Sequence, residues 1–370
     1  MKNIYIILIS VIIIIIIIII LILVYLLSDK KKVTNDEKTV TNDKKALYNY
    51  NNDNNDDNDN DDNTILYIGS EGMGKWGAGY LNYLLKLVYP NREIVYKNEP
   101  DVELIIKSHF IGEEPVWNDD TSIPYIYYQG DQIQVPGSMD HSNSIILSNV
   151  YLDEPNDNYY YIPLFVFYMT YDQYLARKTS NINDNFINNR RLLCINSNNC
   201  NDKISELIKK IADSDSTNTV DYFSTCQTGS VKQLNKTKDA NFSISDVYKN
   251  YNFSIVVERY DLTINGPISD VIMKVFLANS IPIYFGTSHV KEIFNEDAFI
   301  FVNDFDTMAD CANYIKEIND DKDRLLAMLK APIFKNDTMP PYYNFNTKNP
   351  TQFNKNLANK IKTLIKTKSN

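Results

Sequence analysis

The stretch "TILYIGSEGMGKWG" at residues 64–77 sets glycines at 69, 72, 74 and 77 around Lys75. Gly69 to Lys75 fits G-x-x-x-x-G-K, a loop whose backbone amides cradle phosphate between a strand and a helix. That chemistry needs Ser or Thr after the lysine to hold magnesium, and Trp76 stands there. It also needs an aspartate at the end of a neighbouring strand, and "VELIIKS" and "PYIYYQG" offer none. Nucleotide hydrolysis is set aside. The glycines are read instead as letting the backbone turn closely at the top of the first strand.

Other reactive side chains are scattered. Cys194 falls in an apolar run and reads as a small buried hydrophobe. Cys200, Cys226 and Cys311 lack C-x-x-C spacing and a nearby His, so zinc is not expected; Cys200 and Cys226 could pair in an oxidising lumen. His109, His141 and His289 are dispersed, and His289 reads as a satisfied surface side chain. Asp304 and Asp306, after an apolar strand, have the Asp-x-Asp spacing of a metal pair. The carboxylates of Asp53 to Asp62 lack the Gly and terminal Glu of a calcium loop. N-x-S/T triplets begin at Asn235, Asn241, Asn252 and Asn336; Asn235 and Asn241, in a polar loop, are the glycan-acceptor candidates if the head is lumenal.

The elements that would position a site begin after residue 63. Before it, residues 1–3 form a short tail and residues 4–27 a run of 24 uncharged, almost wholly apolar residues. At 1.5 Å per residue, a helix of that length crosses a ~30 Å hydrocarbon core, so residues 4–27 are expected to be an uncleaved signal-anchor in the lipid bilayer. Lys30, Lys31 and Lys32 follow the span, a bias that taken alone would hold the bulk of the chain in the cytosol. Residues 28–63 are Lys, Asn, Asp and Thr with hardly an apolar side chain, the composition of a solvated stalk. A net charge of −10 without an aromatic-studded basic stripe argues against a nucleic-acid partner.

Within the head, apolar runs predict strands at 65–68, 93–96, 103–106, 125–128 and 144–147, with a helix over 78–88 whose Leu81, Leu84, Leu85 and Val88 share a face. A second series predicts strands at 192–196, 220–223, 253–257, 281–285 and 299–302 and helices over 202–211, 268–278 and 307–318. The Asn-rich "KTSNINDNFINNRR" between them reads as a connector. Two successive α/β series imply two Rossmann-like, doubly wound domains facing a cleft, with ligands beyond the carboxyl ends of the strands. The expected division is 64–180, 190–345 and a C-terminal helix or tail over 346–370.

The block from Tyr251 to Phe305 narrows this: "YNFSIVVERYDLTINGPISDVIMKVFLANSIPIYFGTSHVKEIFNEDAFIFVNDF". It resembles the donor-binding half of the family-10 glycosyltransferases, the α1,3-fucosyltransferases. "YNFSIVVE" is similar to their Tyr-x-Phe strand ending in Phe-Glu-Asn, "LANSIPIYFG" to their turn and Ile-Pro-Ile-Tyr-Trp-Gly strand, and "AFIFVNDF" to their last strand. Upstream, "YYQGDQ" stands where the family has Tyr-Thr-Gly-Glu-Asn, and "YYYIPLFVFYM" resembles its Ile-Pro-Leu-Tyr segment. The likeness runs in order over most of residues 65–345.

The resemblance implies a GT-B fold, 64–180 as acceptor domain and 190–345 as donor domain, and inverting transfer of fucose from GDP-fucose to a glycan hydroxyl. It implies no cofactor and no metal, which returns Asp304 to an Asp-Phe turn. It implies a type II arrangement in an endomembrane, against which the lysines after the span weigh. By position, Asp131 falls on the general base, Ser269 on a Thr and Asp270 on the Glu that holds ribose hydroxyls. Glu258 falls on the Glu of Phe-Glu-Asn, and Lys203 near the phosphate-binding Arg. Val271 replaces the diphosphate Lys and Pro267 a Tyr; Arg259 and Lys274 are the candidates to restore that charge. These departures leave open a transferase with relocated charge, one using a different nucleotide sugar, or a catalytically silent nucleotide- or glycan-binding module.

Overall fold

The computed structural model describes residues 65–71, 78–97, 101–109, 123–130, 143–153, 155, 157–168, 171–195, 201–214, 220–222, 247–258 and 267–366, all within one compact unit spanning 62–370. The apolar run 4–27, the stalk, Asp131, Arg259, Asn235, Asn241, Cys200 and Cys226 lie outside these residues. Among the described residues no helix is long and apolar enough to cross a membrane.

The first series forms strands β1 (Ile65–Glu71), β2 (Glu93–Tyr96), β3 (Leu104–His109), β4 (Tyr125–Gln129), β5 (Ser144–Ser148) and β6 (Tyr159–Tyr161), with helix α1 (Ala78–Val88) after β1. They pair in the order β2-β1-β3-β4-β5-β6, every pair parallel. Leu81, Leu84 and Leu85 of α1 are buried at the expected spacing, against Leu66 and Ile68 of β1 in the same core.

The second series forms β7 (Arg191–Ile195), β8 (Val220–Tyr222), β9 (Tyr251–Val257), β10 (Ile281–Phe285) and β11 (Ile300–Phe301), ordered β11-β10-β9-β7-β8 and again wholly parallel. The strand order turns back between β7 and β9, and in doubly wound sheets that switch point is where a ligand crevice opens at the carboxyl ends. Strands buried on both faces read as continuous apolar runs, which explains why Phe253, Ile255, Val256, Ile281 and Ile283 were legible in sequence.

Several elements correct the sequence reading. The expected connector contains helix α4 (Asp184–Asn188), started by Asn183, whose side chain accepts from the Phe186 amide at 3.2 Å. Ahead of it, α2 (Phe165–Tyr168) and α3 (Tyr171–Lys178) pack against α6 (Asp270–Leu277), which belongs to the second series. The helix expected from 268 starts at 270, because Ser269 has extended backbone angles and caps it. The remaining helices are α5 (Asp202–Ser214), α7 (Val290–Ile293), α8 (Met308–Asp320), α9 (Lys322–Lys330) and α10 (Gln352–Lys366).

One apolar cluster runs through both sheets, with a separate one on the far side of each. Phe165 packs on Phe294 at 5.6 Å between ring centroids, Phe276 on Phe294 at 5.3 Å, and Tyr174 on Phe334 at 5.3 Å. Arg177 of α3 donates to the Phe276 carbonyl at 3.4 Å and to that of Leu329, meeting acceptors in the last turns of α6 and α9. The chain then returns: α10 lies on α1, and the fully buried Asn354 accepts from Tyr80 at 2.8 Å and donates to the carbonyls of Asn344 and Pro341 at 3.0 and 3.1 Å.

Candidate active site at the carboxyl end of the second sheet

Four of the expected site residues gather beyond the carboxyl end of β9. Glu258 is the first residue after that strand, beside the switch point, and its amide donates to the Phe285 carbonyl at 2.9 Å. Its carboxylate oxygen Oε1 accepts from the Ser269 amide at 3.0 Å and from the Ser269 hydroxyl at 3.1 Å. Ser269 in turn accepts from the Val271 amide at 3.4 Å. Glu258 therefore grips the head of α6 rather than standing free. Burial pushes its carboxyl up to about 7, the Ser269 bonds opposing that shift and Asp270 adding to it.

Asp270 and Lys274 sit one turn apart on α6, and the ammonium lies 2.5 Å from Asp270 Oδ2. Their side chains are only 14 % and 25 % exposed, so the lysine's charge is committed to Asp270 in this state. Val271 packs against the apolar core. Lys203 is exposed on the first turn of α5, the helix that follows β7, so it lies at the same end of the sheet as Glu258. Asp131 and Arg259 are not described; Gly130 and Glu258, the residues before them, are.

Three further residues complete the site, and none was singled out from the sequence. A Cβ built on Gly286 would lie 2.5 Å from the Tyr284 hydroxyl and 2.6 Å from Glu258 Cγ, so the strand must end in glycine. Tyr284 Oη is buried between the Glu258 carboxyl and the Thr287 backbone, both of which act on it. Tyr161, the last residue of β6 in the first sheet, brings a second buried hydroxyl into electrostatic range of Glu258 and Tyr284. The sequence cue was there: both tyrosines fall in the "YYYIPL" and "IPIYFG" motifs, but a Tyr in an apolar run reads as core.

His289 corrects its surface assignment. It is half-buried, stacked on Tyr151 at 4.1 Å and edge-on to Tyr161 at 5.2 Å, so it bridges residues of both series. Burial pulls its pKa down, with Glu292 and Asp153 opposing. Asp304 receives Lys291 at 2.7 Å on each carboxylate oxygen, which gives it an internal cation partner. Among the described residues no group of three or more His, Cys, Asp or Glu could hold a metal. Asn252 is buried and donates to Asn319 at 3.1 Å, which removes it as a glycan acceptor.

Residues 188–330, which include β7 to α9, match the sequence profile of the glycosyltransferase family 10 (fucosyltransferase) C-terminal region. Over this segment the chain is similar to the family-10 glycosyltransferases. Beyond this segment, the fold is similar to a crystal structure of an alpha1,3-fucosyltransferase, with 16% identity and a TM-score of 0.57 over 82% of this chain and 91% of that one. An alpha1,3-fucosyltransferase with GDP-fucose aligns at 18% identity and a TM-score of 0.55, over 85% of this chain and 93% of that one. One with GDP gives 17% and 0.55, over 85% and 94%. At such identities the likeness carries the fold, which is α/β and GT-B-like, with both sheets parallel. No curated protein matches the chain significantly in sequence. The matched segment thus contains Glu258, Ser269, Asp270, Lys274 and Lys203, while Tyr161 comes from the sheet before it.

Proposed function

We propose that the protein is a membrane-anchored, inverting transferase that moves fucose from GDP-fucose to a glycan hydroxyl. The observation that carries this reading is the placement of Glu258, Ser269 and Asp270 at the head of α6, beside the strand switch point, within the family-matched segment. In this reading Asp270 receives the ribose hydroxyls and the GDP phosphates lie toward α5 and α6. Glu258 already occupies the Ser269 amide, so charge on the leaving diphosphate is met by Lys203 and Arg259 rather than by that amide. The acceptor oxygen attacks the anomeric carbon as the bond to the phosphate oxygen breaks. The electron pair leaves with GDP, and the acceptor's proton passes to Asp131. Residues 4–27 serve as the bilayer anchor and 28–63 as the stalk.

The test is incubation of the detergent-solubilised full chain with GDP-fucose, other nucleotide sugars and a panel of glycan acceptors. Fucosyl transfer with inverted anomeric configuration, lost in Asp131→Asn, is the expected result. Transfer from another nucleotide sugar would reassign the donor, and no transfer or hydrolysis with any donor would remove catalysis.

A second reading, a silent nucleotide- or glycan-binding module, is favoured by Val271 at the family lysine position and by the Asp270–Lys274 pair. Calorimetry separates the two. GDP binding without turnover, unchanged in Asp131→Asn, belongs to the silent module.

A further inference from the structure

Of the four Asn-x-Ser/Thr triplets in the chain, two begin at described residues, and those two differ completely in setting. Asn252 is buried in β9. Asn336, Asp337 and Thr338 are all exposed. They form the turn that follows α9, directly after the fully buried Phe334, which pairs with Phe294 in an isolated bridge. Asn336 and Asp337 both take left-handed backbone angles, with φ of 56° and 50°. The Asp337 amide donates to the Phe334 carbonyl and the Thr338 amide to that of Lys335, each at 3.0 Å. The turn is tight, and its own backbone holds it.

Backbone geometry accounts for part of this. Asn and Asp enter the left-handed region with less strain than other side chains, and glycine would serve there as well. It does not account for a hydroxyl two positions after the asparagine. Among the described residues the Thr338 hydroxyl donates only to the Asn336 carbonyl, at 3.2 Å, and the Asn336 carboxamide makes no hydrogen bond. A bulky polar group attached to that amide would break no contact. The flanking side chains are engaged instead. Asp337 meets Lys178 of α3 at 3.3 Å, and Lys335 meets Glu292 of α7 at 2.9 Å. An Asn-x-Thr triplet on an exposed turn is the form in which a lumenal chain accepts an N-linked glycan.

We propose that Asn336 is an N-glycosylation site. This rests on the membrane-anchored reading, with the head in an endomembrane lumen. Nδ2 of the Asn336 carboxamide forms a bond to the anomeric carbon of an oligosaccharide carried on a lipid diphosphate. The carbon–oxygen bond to phosphate breaks, its electron pair leaves with the lipid diphosphate, and the proton from Nδ2 passes to that leaving group. The test expresses the full chain in cells that glycosylate membrane proteins. N-glycosidase treatment of the denatured chain in heavy-oxygen water then marks each occupied asparagine as a labelled aspartate. Label at Asn336 is expected. It should be lost in Thr338→Val, which keeps the side chain's size and leaves the left-handed pair untouched, and it should be kept in Thr338→Ser. Label that survives Thr338→Val overturns the proposal. Protease treatment of sealed membrane vesicles from the same cells reports the side of the head. A protected head with Asn336 unlabelled removes this inference alone. A digested head removes the lumenal reading and takes this inference with it.

Discussion

Glu258 and Ser269 are eleven positions apart in the chain, yet one carboxylate oxygen takes both the amide and the hydroxyl of the serine, at 3.0 and 3.1 Å. The contact ties the end of β9 to the cap of α6 across a segment that the sequence alone reads as loop. It also makes Glu258 a positioning residue for the helix, with Asp270 next in line to meet a ligand.

That tie predicts a pH dependence. The folded-state pKa of Glu258 is raised to about 7, above the ordinary 4.5, by burial. A raised acid contributes stability that is complete below about pH 4.5 and is lost as pH climbs through about 7. The full effect is on the order of 3 kcal/mol. Urea midpoints of wild type should therefore fall between pH 5 and pH 8 by more than those of Glu258→Gln. The glutamine keeps an acceptor for Ser269 but cannot ionise, and equal slopes for the two proteins would contradict the assignment.

Gly286→Ala should destabilise the fold by about 1–3 kcal/mol, because the new methyl meets the Tyr284 hydroxyl and Glu258 Cγ at 2.5 and 2.6 Å. Chemical denaturation measures it. A neutral alanine would mean that the Tyr284 ring moves aside freely, and the tight approach of strand end and carboxylate would lose its significance.

Asn354→Ala should cost about 2–4 kcal/mol. It strands the Tyr80 hydroxyl and the Asn344 and Pro341 carbonyls that a single buried amide now satisfies, and it leaves a small cavity between α10 and α1. Asn354→Asp, similar in shape but unable to donate to two carbonyls, should be no better. Loss confined to a few tenths of a kcal/mol would show that α10 docks by its apolar face alone.

Val271→Lys places a cation on the first turn of α6. Calorimetry should find GDP bound about tenfold more tightly, a gain of ~1.4 kcal/mol from one charge-assisted contact. Unchanged affinity would indicate that the diphosphate lies elsewhere or that Asp270 captures the new ammonium as it does Lys274.

Treatment of membrane-expressed protein with an N-glycosidase reports the side of the membrane. Modification at Asn235 or Asn241 is the outcome expected for a type II head in an endomembrane lumen. A chain that carries no glycan, with residues after the span protected by the cytosolic face, would follow the lysines at 30–32 instead.

Sequence alone determined most of the strands, though not Tyr159–Tyr161, and the order of the motifs, because a strand buried on both faces must be apolar throughout. Ile281–Phe285 was delimited correctly for that reason, as was α1 by its leucine spacing. It also picked out Glu258, Ser269 and Asp270, since their neighbours repeat the family motif. Tertiary structure decided what those residues do to one another. Glu258 is spent on Ser269, and Asp270 on Lys274, contacts that depend on where α6 begins relative to β9. It likewise brought Tyr161 to Tyr284, Tyr151 to His289 and Asn354 to Tyr80, pairs more than a hundred residues apart whose meeting follows from packing two sheets against one apolar cluster. A side chain's local neighbours shape its propensity; only the packed chain shows which distant polar group each one meets.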